Sequence, residues 1–303
     1  MKAFWDSILL RTRNKFFPYC ALRINVEDGA IPFCYGDRFA WRIWDSGAYE
    51  QGDRRLLRII LCHFHCFVDV GANLGIYTLL AARHLSERGK VFAFEASQVE
   101  FEKLKRTLAW NKLHSVIAEN LAVGSSSGEV AIFESLDRSG ALNRIGIKAI
   151  DAYLYQETKT QCVSLDEYFK KRVEKPDFIK IDVEGFELKV LHGARAILQA
   201  NRPVLMVEMV PATSNHESNP ELIWDYMEGM SYRWLSGVND KGEIDWNFEK
   251  PLTKDDLLRR LEMAKKIGFY TGELSRNMYC VPLEKIDIVR DIIRESIPSQ
   301  VIS

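Results

Sequence analysis

Several features are scarce or absent in this 303-residue sequence, and each absence narrows the class of protein. The six cysteines are scattered, at positions 20, 34, 62, 66, 162 and 280, which excludes a dense disulfide framework and favours reduced thiols. No run of about 18 apolar residues occurs, so no membrane-spanning helix is predicted. The N-terminus also lacks a secretory signal with a small-residue cleavage site, and a cytoplasmic protein is therefore expected.

An excess of charge of either sign is also missing. Lysine and arginine number 41 against 42 aspartates and glutamates, which leaves a net charge of -1. No overall field therefore favours a nucleic acid, and no nucleic-acid partner is expected. A hydrophobic content of 47% is enough for a sizeable buried core.

The N-terminal segment has a composition of its own. Within residues 2–16, apolar side chains fall on one helical face and basic side chains flank them. This pattern predicts an amphipathic helix, which either docks on its own domain or makes a peripheral contact with the inner face of a membrane.

From residue 66 onward, short apolar runs alternate with helical patterns, which is typical of repeated βα units and a mostly parallel sheet. Strands are predicted at 66–70, 90–94, 128–133, 177–181 and 204–207, a further strand within 115–123, and closing strands at 232–235 and 278–281. Helices are predicted at 76–84, 99–111, 186–199 and 255–267. The strand at 128–133 is expected to leave the third unit as a hairpin, and residues 135–160 show no clear period.

The first predicted strand runs into the loop Gly71-Ala72-Asn73-Leu74-Gly75, after which a helical pattern begins. Glycines at this position let the backbone approach a nucleotide-like ligand, which then faces the N-terminus of the helix. Asparagine stands where the dinucleotide-binding fingerprint has its middle glycine, and the third glycine is absent. The loop therefore predicts a nucleotide-like ligand and departs from the pattern of nicotinamide enzymes.

Glu95 ends the second predicted strand, 20 residues after Gly75. An acid at this spacing accepts hydrogen bonds from ribose hydroxyls in nucleotide-binding α/β folds, because a carboxylate presents two acceptors to a vicinal diol. Glu95 is therefore a predicted ribose ligand, with an exposed surface glutamate as the alternative.

A second group of polar residues follows the fourth predicted strand, in Lys180-Ile181-Asp182-Val183-Glu184-Gly185. The strand period of two puts Lys180 and Asp182 on one face, and the strand end brings Asp182 and Glu184 towards the cleft above the sheet. A carboxylate or lysine there could accept the proton of a hydroxyl group. The alternative is that the acids bind a ligand or stabilise the turn. Glu208 at the next strand end is a further candidate.

Three other patterns carry weaker hypotheses. His216 lies in the loop after Glu208 and is either a mobile base or a solvated side chain. The cluster Cys62-His63-Phe64-His65-Cys66 lacks the spacing of a zinc site, and no metal is predicted. Gly124-Ser125-Ser126-Ser127-Gly128 has the spacing of a nucleophile elbow, but a β-prone segment follows where a helix is needed.

These residues resemble the FkbM-type methyltransferases. The motifs occur in the order of that family and span about residues 45 to 285: Asp69-Val-Gly71-Ala-Asn73-Leu-Gly75-Ile-Tyr77-Thr78, Phe94-Glu95-Ala96, Asn120-Leu-Ala122-Val-Gly124, Val163-Ser-Leu165-Asp166, Ile179-Lys180-Ile181-Asp182-Val-Glu184-Gly185, Leu191-His-Gly193-Ala194 and Val207-Glu208. Ala96-Ser97 stands where the family often has Glu-Pro-Asn. The resemblance implies a class I, Rossmann-like open α/β sheet, mostly parallel with an antiparallel closing strand, with helices on both faces.

The resemblance also implies S-adenosylmethionine as cofactor and assigns residues to it. The residues expected to hold the methionine end are Asp69, Gly71, Asn73 and Gly75. Glu95 is expected at the ribose and Asn120 or Ala122 near the adenine, while Tyr77, Ala96 and Asp182 complete the donor-binding set. Gly47-Ala48-Tyr49-Glu50 matches a Gly-x-Tyr-Glu element of the family that would close over donor or substrate.

The function implied by the resemblance is methyl transfer to oxygen, with the hydroxyl of a sugar in a glycan, glycolipid or natural product as acceptor. Acceptor specificity is expected in the segments 135–160 and 237–276, with Trp246, Phe248 and Tyr270. A nicotinamide-dependent oxidoreductase and a non-catalytic nucleoside-binding scaffold are the alternatives. The predicted organisation is an N-terminal extension (1–54), a methyltransferase domain (55–285) and a C-terminal tail (286–303).

Overall fold

A computed structural model describes residues 21–34, 43, 49–135, 144–145, 155–209, 219–235, 251–267 and 277–296. The amphipathic segment 2–16 and the candidate residues His216, Trp246, Phe248 and Tyr270 lie outside these ranges. The strands are β1 (Ala21–Val26), β2 (Gly29–Cys34), β3 (Cys66–Val70), β4 (Lys90–Phe94), β5 (Ile117–Glu119), β6 (Ala122–Val123), β7 (Gly128–Ser135), β8 (Arg144–Ile145), β9 (Tyr155–Val163), β10 (Phe178–Ile181), β11 (Val204–Glu208), β12 (Tyr232–Leu235) and β13 (Asn277–Pro282).

The helices alternate with these strands through most of the chain. They are α1 (Gln51–Ile60), α2 (Ile76–His84), α3 (Gln98–Trp110), α4 (Leu165–Phe169), α5 (Glu187–Gly193), α6 (Arg195–Ala200), α7 (Pro220–Gly229), α8 (Lys254–Ile267) and α9 (Ile286–Ser296). Among the described helices, none combines the length and the apolar character needed to cross a membrane.

Seven strands form the main sheet, in the order β12-β13-β11-β10-β3-β4-β5. The strands β11, β10, β3, β4 and β5 are parallel neighbours, and β13 runs antiparallel to both β11 and β12. This confirms the predicted α/β class with a mostly parallel sheet and an antiparallel strand towards one edge. The carboxyl ends of β3, β4, β10 and β11 share one edge of the sheet, where such folds bind their ligands.

Both faces of the main sheet are covered, because its central strands are buried along their whole length. Alternate residues of a strand point to opposite faces. Val68, Ile179 and Leu205 accordingly belong to one apolar cluster, whereas Phe67 and Phe178 belong to the other. These two cores fix the strand register and thereby the relative positions of the strand ends.

A second sheet, in the order β6-β9-β7-β8, corrects part of the sequence-based prediction. The third strand predicted within 115–123 divides into β5 and β6, which lie in different sheets. The strand at 128–133 does not form a hairpin with it: β7 pairs antiparallel with β9, and β6 pairs parallel with β9. The predicted helix 186–199 is interrupted at Ala194, which separates α5 from α6.

Elements from both ends of the chain pack on the domain. Asn111 fixes the β1–β2 hairpin, since its side chain accepts from the N–H of Ala30 at 2.9 Å and donates to the carbonyl of Ala30 at 2.6 Å. In α9, Val289 and Ile293 are buried in the same cluster as Leu56 of α1. The segment expected as a C-terminal tail therefore includes a packed helix, while the boundaries of the three predicted regions stay a prediction.

Candidate active site

The loop after β3 is shaped by left-handed backbone. Gly71 has φ +80°, Asn73 has φ +52° and Gly75 has φ +92°. Glycine adopts this region without strain, and asparagine tolerates it better than most residues. A Cβ atom on Gly71 would lie 1.8 Å from the carbonyl oxygen of Asp182, so the loop and the turn after β10 are in direct backbone contact.

Hydrogen bonds join the glycine loop to the end of β4. The N–H of Asn73 donates to Oε2 of Glu95 at 2.7 Å, and the N–H of Leu74 donates to Oδ1 of Asn73 at 2.7 Å. The N–H groups of Gly71 and Ala72 both donate to the carbonyl of Phe94 at 3.0 Å. Asn73 therefore links the loop to the acid that the sequence assigns to the ribose.

Glu95 is 7% exposed, and its second oxygen, Oε1, accepts from the N–H of Ser97 at 2.8 Å. Burial raises the pKa of Glu95 to about 8, against the backbone donors that lower it. Ser97 caps α3 by accepting from the N–H of Glu100, and its hydroxyl donates to Glu134 of β7. Glu134 was not singled out in the sequence, because it reaches this site from the second sheet.

The two residues expected near the adenine differ in their placement. Asn120 donates from its side-chain nitrogen to the carbonyls of Glu95 at 2.8 Å and Ala96 at 3.3 Å, which places it at the end of β4. Ala122 is 1% exposed and belongs to the apolar core. Asn120, with Glu95 and Ala96, is therefore the better placed of the two for a nucleoside.

Asp69 lies beneath the loop. Its side chain is 0% exposed, and Oδ2 accepts from the hydroxyl of Thr78 at 2.6 Å. Burial raises the pKa of Asp69, although Lys180 and Thr78 act in the opposite direction. Asp69 is therefore placed to support the loop and the start of α2, and its contact with the methionine end of the donor stays a prediction.

Lys180 is buried beside Asp69, with the ammonium Nζ 2.9 Å from Oδ2 of Asp182 and 3.9 Å from Oδ1 of Asp69. The ammonium also lies 4.8 Å from the ring centroid of Tyr77. Burial lowers the pKa of this lysine, but the two carboxylates outweigh it and hold the pKa above its usual value. A protonated ammonium does not accept a proton, so this arrangement favours the carboxylates over Lys180 among the residues considered for the role of base.

Three carboxylates meet at the ends of β10 and β11. One oxygen from each of Asp182, Glu184 and Glu208 lies within 4.8 Å of the others. Glu184 has φ +50°, and Glu187 holds the turn by accepting from the N–H of Gly185 at 3.0 Å. Within the described residues this is the group whose spacing suits a divalent cation.

Tyr77 connects α2 to the segment that precedes α1. Its hydroxyl donates to Oε2 of Glu50 at 2.5 Å. Glu50 has φ +45° and stands immediately before α1. The Tyr49-Glu50 element is thus brought to the start of α2, next to the glycine loop.

The remaining sequence hypotheses are separate from this edge of the sheet. Cys66 is the buried first residue of β3, and His65 lies 3.6 Å from Asp177 at the opposite ends of the strands. The only group of potential metal ligands among the described residues is the acidic one above. Gly128 opens β7, so the Gly124–Gly128 segment leads into a strand and is not a nucleophile elbow.

Comparison with known proteins gives a family for the chain. Residues 69–234 match the methyltransferase FkbM domain, which is more than half of the chain. Hexuronic acid methyltransferase AglP of Haloferax volcanii is 27% identical over 164 residues, covering 53% of this chain and 62% of the relative. Methyltransferase sdnD of Sordaria araneosa is 30% identical over 153 residues, covering 42% of this chain and 59% of the relative.

The chain thus spans about three fifths of the length of the curated relatives it matches. Among solved structures, methyltransferase FkbM from Methylobacillus flagellatus KT is similar with a TM-score of 0.40 and 17% identity, covering 59% of this chain and 42% of that one. The matched residues run from Asp69 to Trp234 and include the glycine loop, Glu95 and the Asp182 turn. The chain belongs to the FkbM methyltransferase family.

Proposed function

We propose that the protein is an S-adenosylmethionine-dependent methyltransferase that methylates a hydroxyl group of a sugar. The observation that carries this proposal is the approach of Gly71 to the carbonyl of Asp182, where a Cβ atom would lie at 1.8 Å. Because Gly71 has no side chain, the glycine loop packs directly on the turn after β10, which brings the loop next to the acids of that turn.

The residues present fit the donor. Glu95 offers the oxygens of its carboxyl group to a ribose diol, and Asn120 lies beside it at the end of β4. The positive-φ loop of Gly71, Asn73 and Gly75 leads into α2 without a bulky side chain at its turns. We assign these residues to donor binding, with Tyr77 and Ala96 at the border of the site.

S-adenosylmethionine supplies a methyl carbon attached to a positively charged sulfur. Carboxylates near such a charge stabilise it, and Asp182, Glu184 and Glu208 are grouped at this edge of the sheet. We propose that Asp182 takes the proton from the hydroxyl that receives the methyl group, with Glu184 and Glu208 as the alternatives. Orientation of the two reactants contributes more than base strength in a transfer of this kind.

A sugar acceptor is supported by the name of one relative, hexuronic acid methyltransferase AglP, and by the family resemblance. Residues 135–160 and 237–276, with Trp246, Phe248 and Tyr270, remain the predicted source of acceptor specificity. A cytoplasmic location and a membrane contact through residues 2–16 stay predictions.

The proposal is tested by incubating the purified protein with methyl-labelled S-adenosylmethionine and a mixed pool of neutral and acidic oligosaccharides. Label in an alkali-stable methyl ether of a sugar is the expected result, and Asp182→Asn is expected to reduce it about a hundredfold. Glu129→Gln removes an exposed carboxylate paired with Lys159 and serves as the matched control.

Label in alkali-labile methyl esters would contradict transfer to a hydroxyl. Donor binding without transfer to sugars, small hydroxylated molecules or proteins would favour the nucleoside-binding scaffold. Binding of NAD in place of the methyl donor would overturn the methyltransferase assignment as a whole.

A further inference from the structure

We propose that Lys180 is a positioning residue, which acts on methyl transfer by holding the carboxylate of Asp182 against the glycine loop and does not itself touch the reactants. This inference rests on the proposed function, since it assigns a role within the same site. Its physical basis is the place of Lys180 in the central strand of the sheet.

The sheet register brings Lys180 to this position. In β10, Lys180 pairs directly with Asp69 of β3, so the two side chains emerge side by side on one face. The period of two puts Asp182 on that face as well. The Lys180 side chain is 3% exposed, and its ammonium lies 2.9 Å from Oδ2 of Asp182.

Asp182 is thereby held at three points. Its N–H donates to the carbonyl of Val70 at 3.0 Å, which continues the pairing of β10 with β3. Its carbonyl oxygen lies against Gly71, and its carboxylate is bound by Lys180. The backbone contacts fix the residue, and the ammonium fixes the direction of the side chain.

Stability alone is a weak reason for an ammonium at this place. The surrounding face is apolar, with Phe67, Phe178 and Tyr77 in one cluster. Desolvation of a buried ammonium offsets much of its attraction to carboxylates, and a well-packed apolar side chain is often no less stable than a buried ion pair. Packing therefore does not explain the buried ammonium of Lys180, whereas a role in orienting Asp182 does.

Lys180 is also protonated before and during the reaction, because Asp69 and Asp182 flank its ammonium at 3.9 Å and 2.9 Å. The ammonium therefore neither accepts nor releases a proton. Its contribution is a fixed charge and a fixed hydrogen bond to Asp182. These orient the Asp182 carboxylate, which in turn accepts the proton of the acceptor hydroxyl.

The test is a double-mutant cycle of Lys180→Met, Asp182→Asn and the double variant, measured with single-turnover kinetics. Lys180→Met is expected to lower the transfer rate about a hundredfold, the loss that a misplaced catalytic group causes. The same substitution is expected to lower the rate less than threefold when Asp182 is already asparagine, because residues that act as a unit are not additive. Lys105→Met, which removes an exposed lysine paired with Glu102, is the matched control.

Two readouts separate positioning from a general loss of structure. The affinity for S-adenosylhomocysteine, measured by calorimetry, is expected to stay within about threefold in Lys180→Met, since donor contacts are assigned to other residues. In protein labelled with ¹³C at the aspartate carboxyl groups, the Asp182 signal is identified by its absence in Asp182→Asn. That signal is expected to move in Lys180→Met and to stay in place in Lys105→Met.

Additive losses in the cycle, or an unmoved Asp182 signal, would overturn the role of Lys180. If Lys180→Met does not fold, the buried carboxylate of Asp69 has lost its counter-charge. Asp69→Asn is then added to remove that charge, and the same cycle is measured in the Asp69→Asn background. Failure of the wild-type protein to transfer methyl groups to any acceptor is a different result. It contradicts the proposed function, and the carboxyl signal still decides whether Lys180 holds Asp182.

Discussion

Gly71 and Asp182 lie so close that a Cβ atom on Gly71 would be 1.8 Å from the carbonyl oxygen of Asp182. The two residues belong to loops separated by more than a hundred positions, and β3 and β10 are neighbours in the sheet. The glycine loop and the acidic turn therefore form one unit at the carboxyl edge of the sheet.

Gly71→Ala is expected to lower the free energy of unfolding by about 2 kcal/mol or more, because the residue has φ +80° and the added methyl group meets backbone. The measurement is urea unfolding. Gly229→Ala is the matched control: it lies at the end of α7 with nothing within 4 Å of the added Cβ, and a change of about 1 kcal/mol or less is expected. Equal stability of the two variants would contradict the contact between the loops.

Glu95 gives the protein a pH-dependent stability with a defined sign. Burial raises its pKa from 4.5 to about 8, so the folded protein holds a proton in this interval that the unfolded chain releases. The free energy of unfolding therefore falls as pH rises from 4.5 to about 8, by an upper limit of about 5 kcal/mol. Above this interval, Glu95 adds no further pH dependence.

Glu95→Gln is expected to remove this part of the pH dependence. The measurement is urea unfolding of wild type and variant at pH 5 and pH 8.5, which gives the difference in their free energies of unfolding at each pH. A difference that stays the same at both values would show that Glu95 titrates normally.

The two acids of the site are expected to differ in their effect on the donor. Glu95→Ala removes the acceptor at the ribose position, whereas Asp182→Asn keeps the shape of a side chain assigned to the acceptor. Glu95→Ala should therefore weaken binding of S-adenosylmethionine more than Asp182→Asn does, by about tenfold. Calorimetric titration of both variants decides this, and identical affinities for both variants and wild type would refute the site assignment.

Asn111 is expected to be a strong anchor for the N-terminal hairpin. It makes hydrogen bonds to both backbone groups of Ala30 and to the carbonyl of Thr107 at 2.7 Å, all of them buried. Asn111→Ala should lower the free energy of unfolding by about 2 to 3 kcal/mol, because buried polar groups lose their partners. Gln98→Ala, at an exposed side chain bonded only to Glu102 in the described contacts, should change it by less than about 0.5 kcal/mol; similar losses in both would contradict the anchor.

The sequence predicted the strands of the main sheet well, because β3, β10 and β11 are short, mostly apolar runs that end in an acid or are followed by glycine or acid. It did not predict β9, whose sequence YQETKTQCV is mostly polar and whose partner β7 lies beyond residues without a clear period. The division of the helix at Ala194 was also missed, although Gly193 at the end of α5 marks it.

The sequence placed Gly71, Asn73, Glu95 and Asp182 after the ends of strands, where the structure has them, and their roles in the site stay predictions. It placed Lys180 and Asp182 on one face, which the structure confirms, but it did not predict that Lys180 lies beside Asp69. Their side chains meet across two strands that are far apart in the chain, and only the register of the sheet determines that contact. Glu134 escaped notice for a similar reason, as it reaches Ser97 from the second sheet.

The most direct test of the account is calorimetric titration of the purified protein with S-adenosylmethionine, S-adenosylhomocysteine and NAD in parallel. Saturable binding of the first two at one site, lost in Glu95→Ala and absent for NAD, is the expected result. Binding of NAD alone, or no binding of any of the three, would contradict the donor site at the glycine loop.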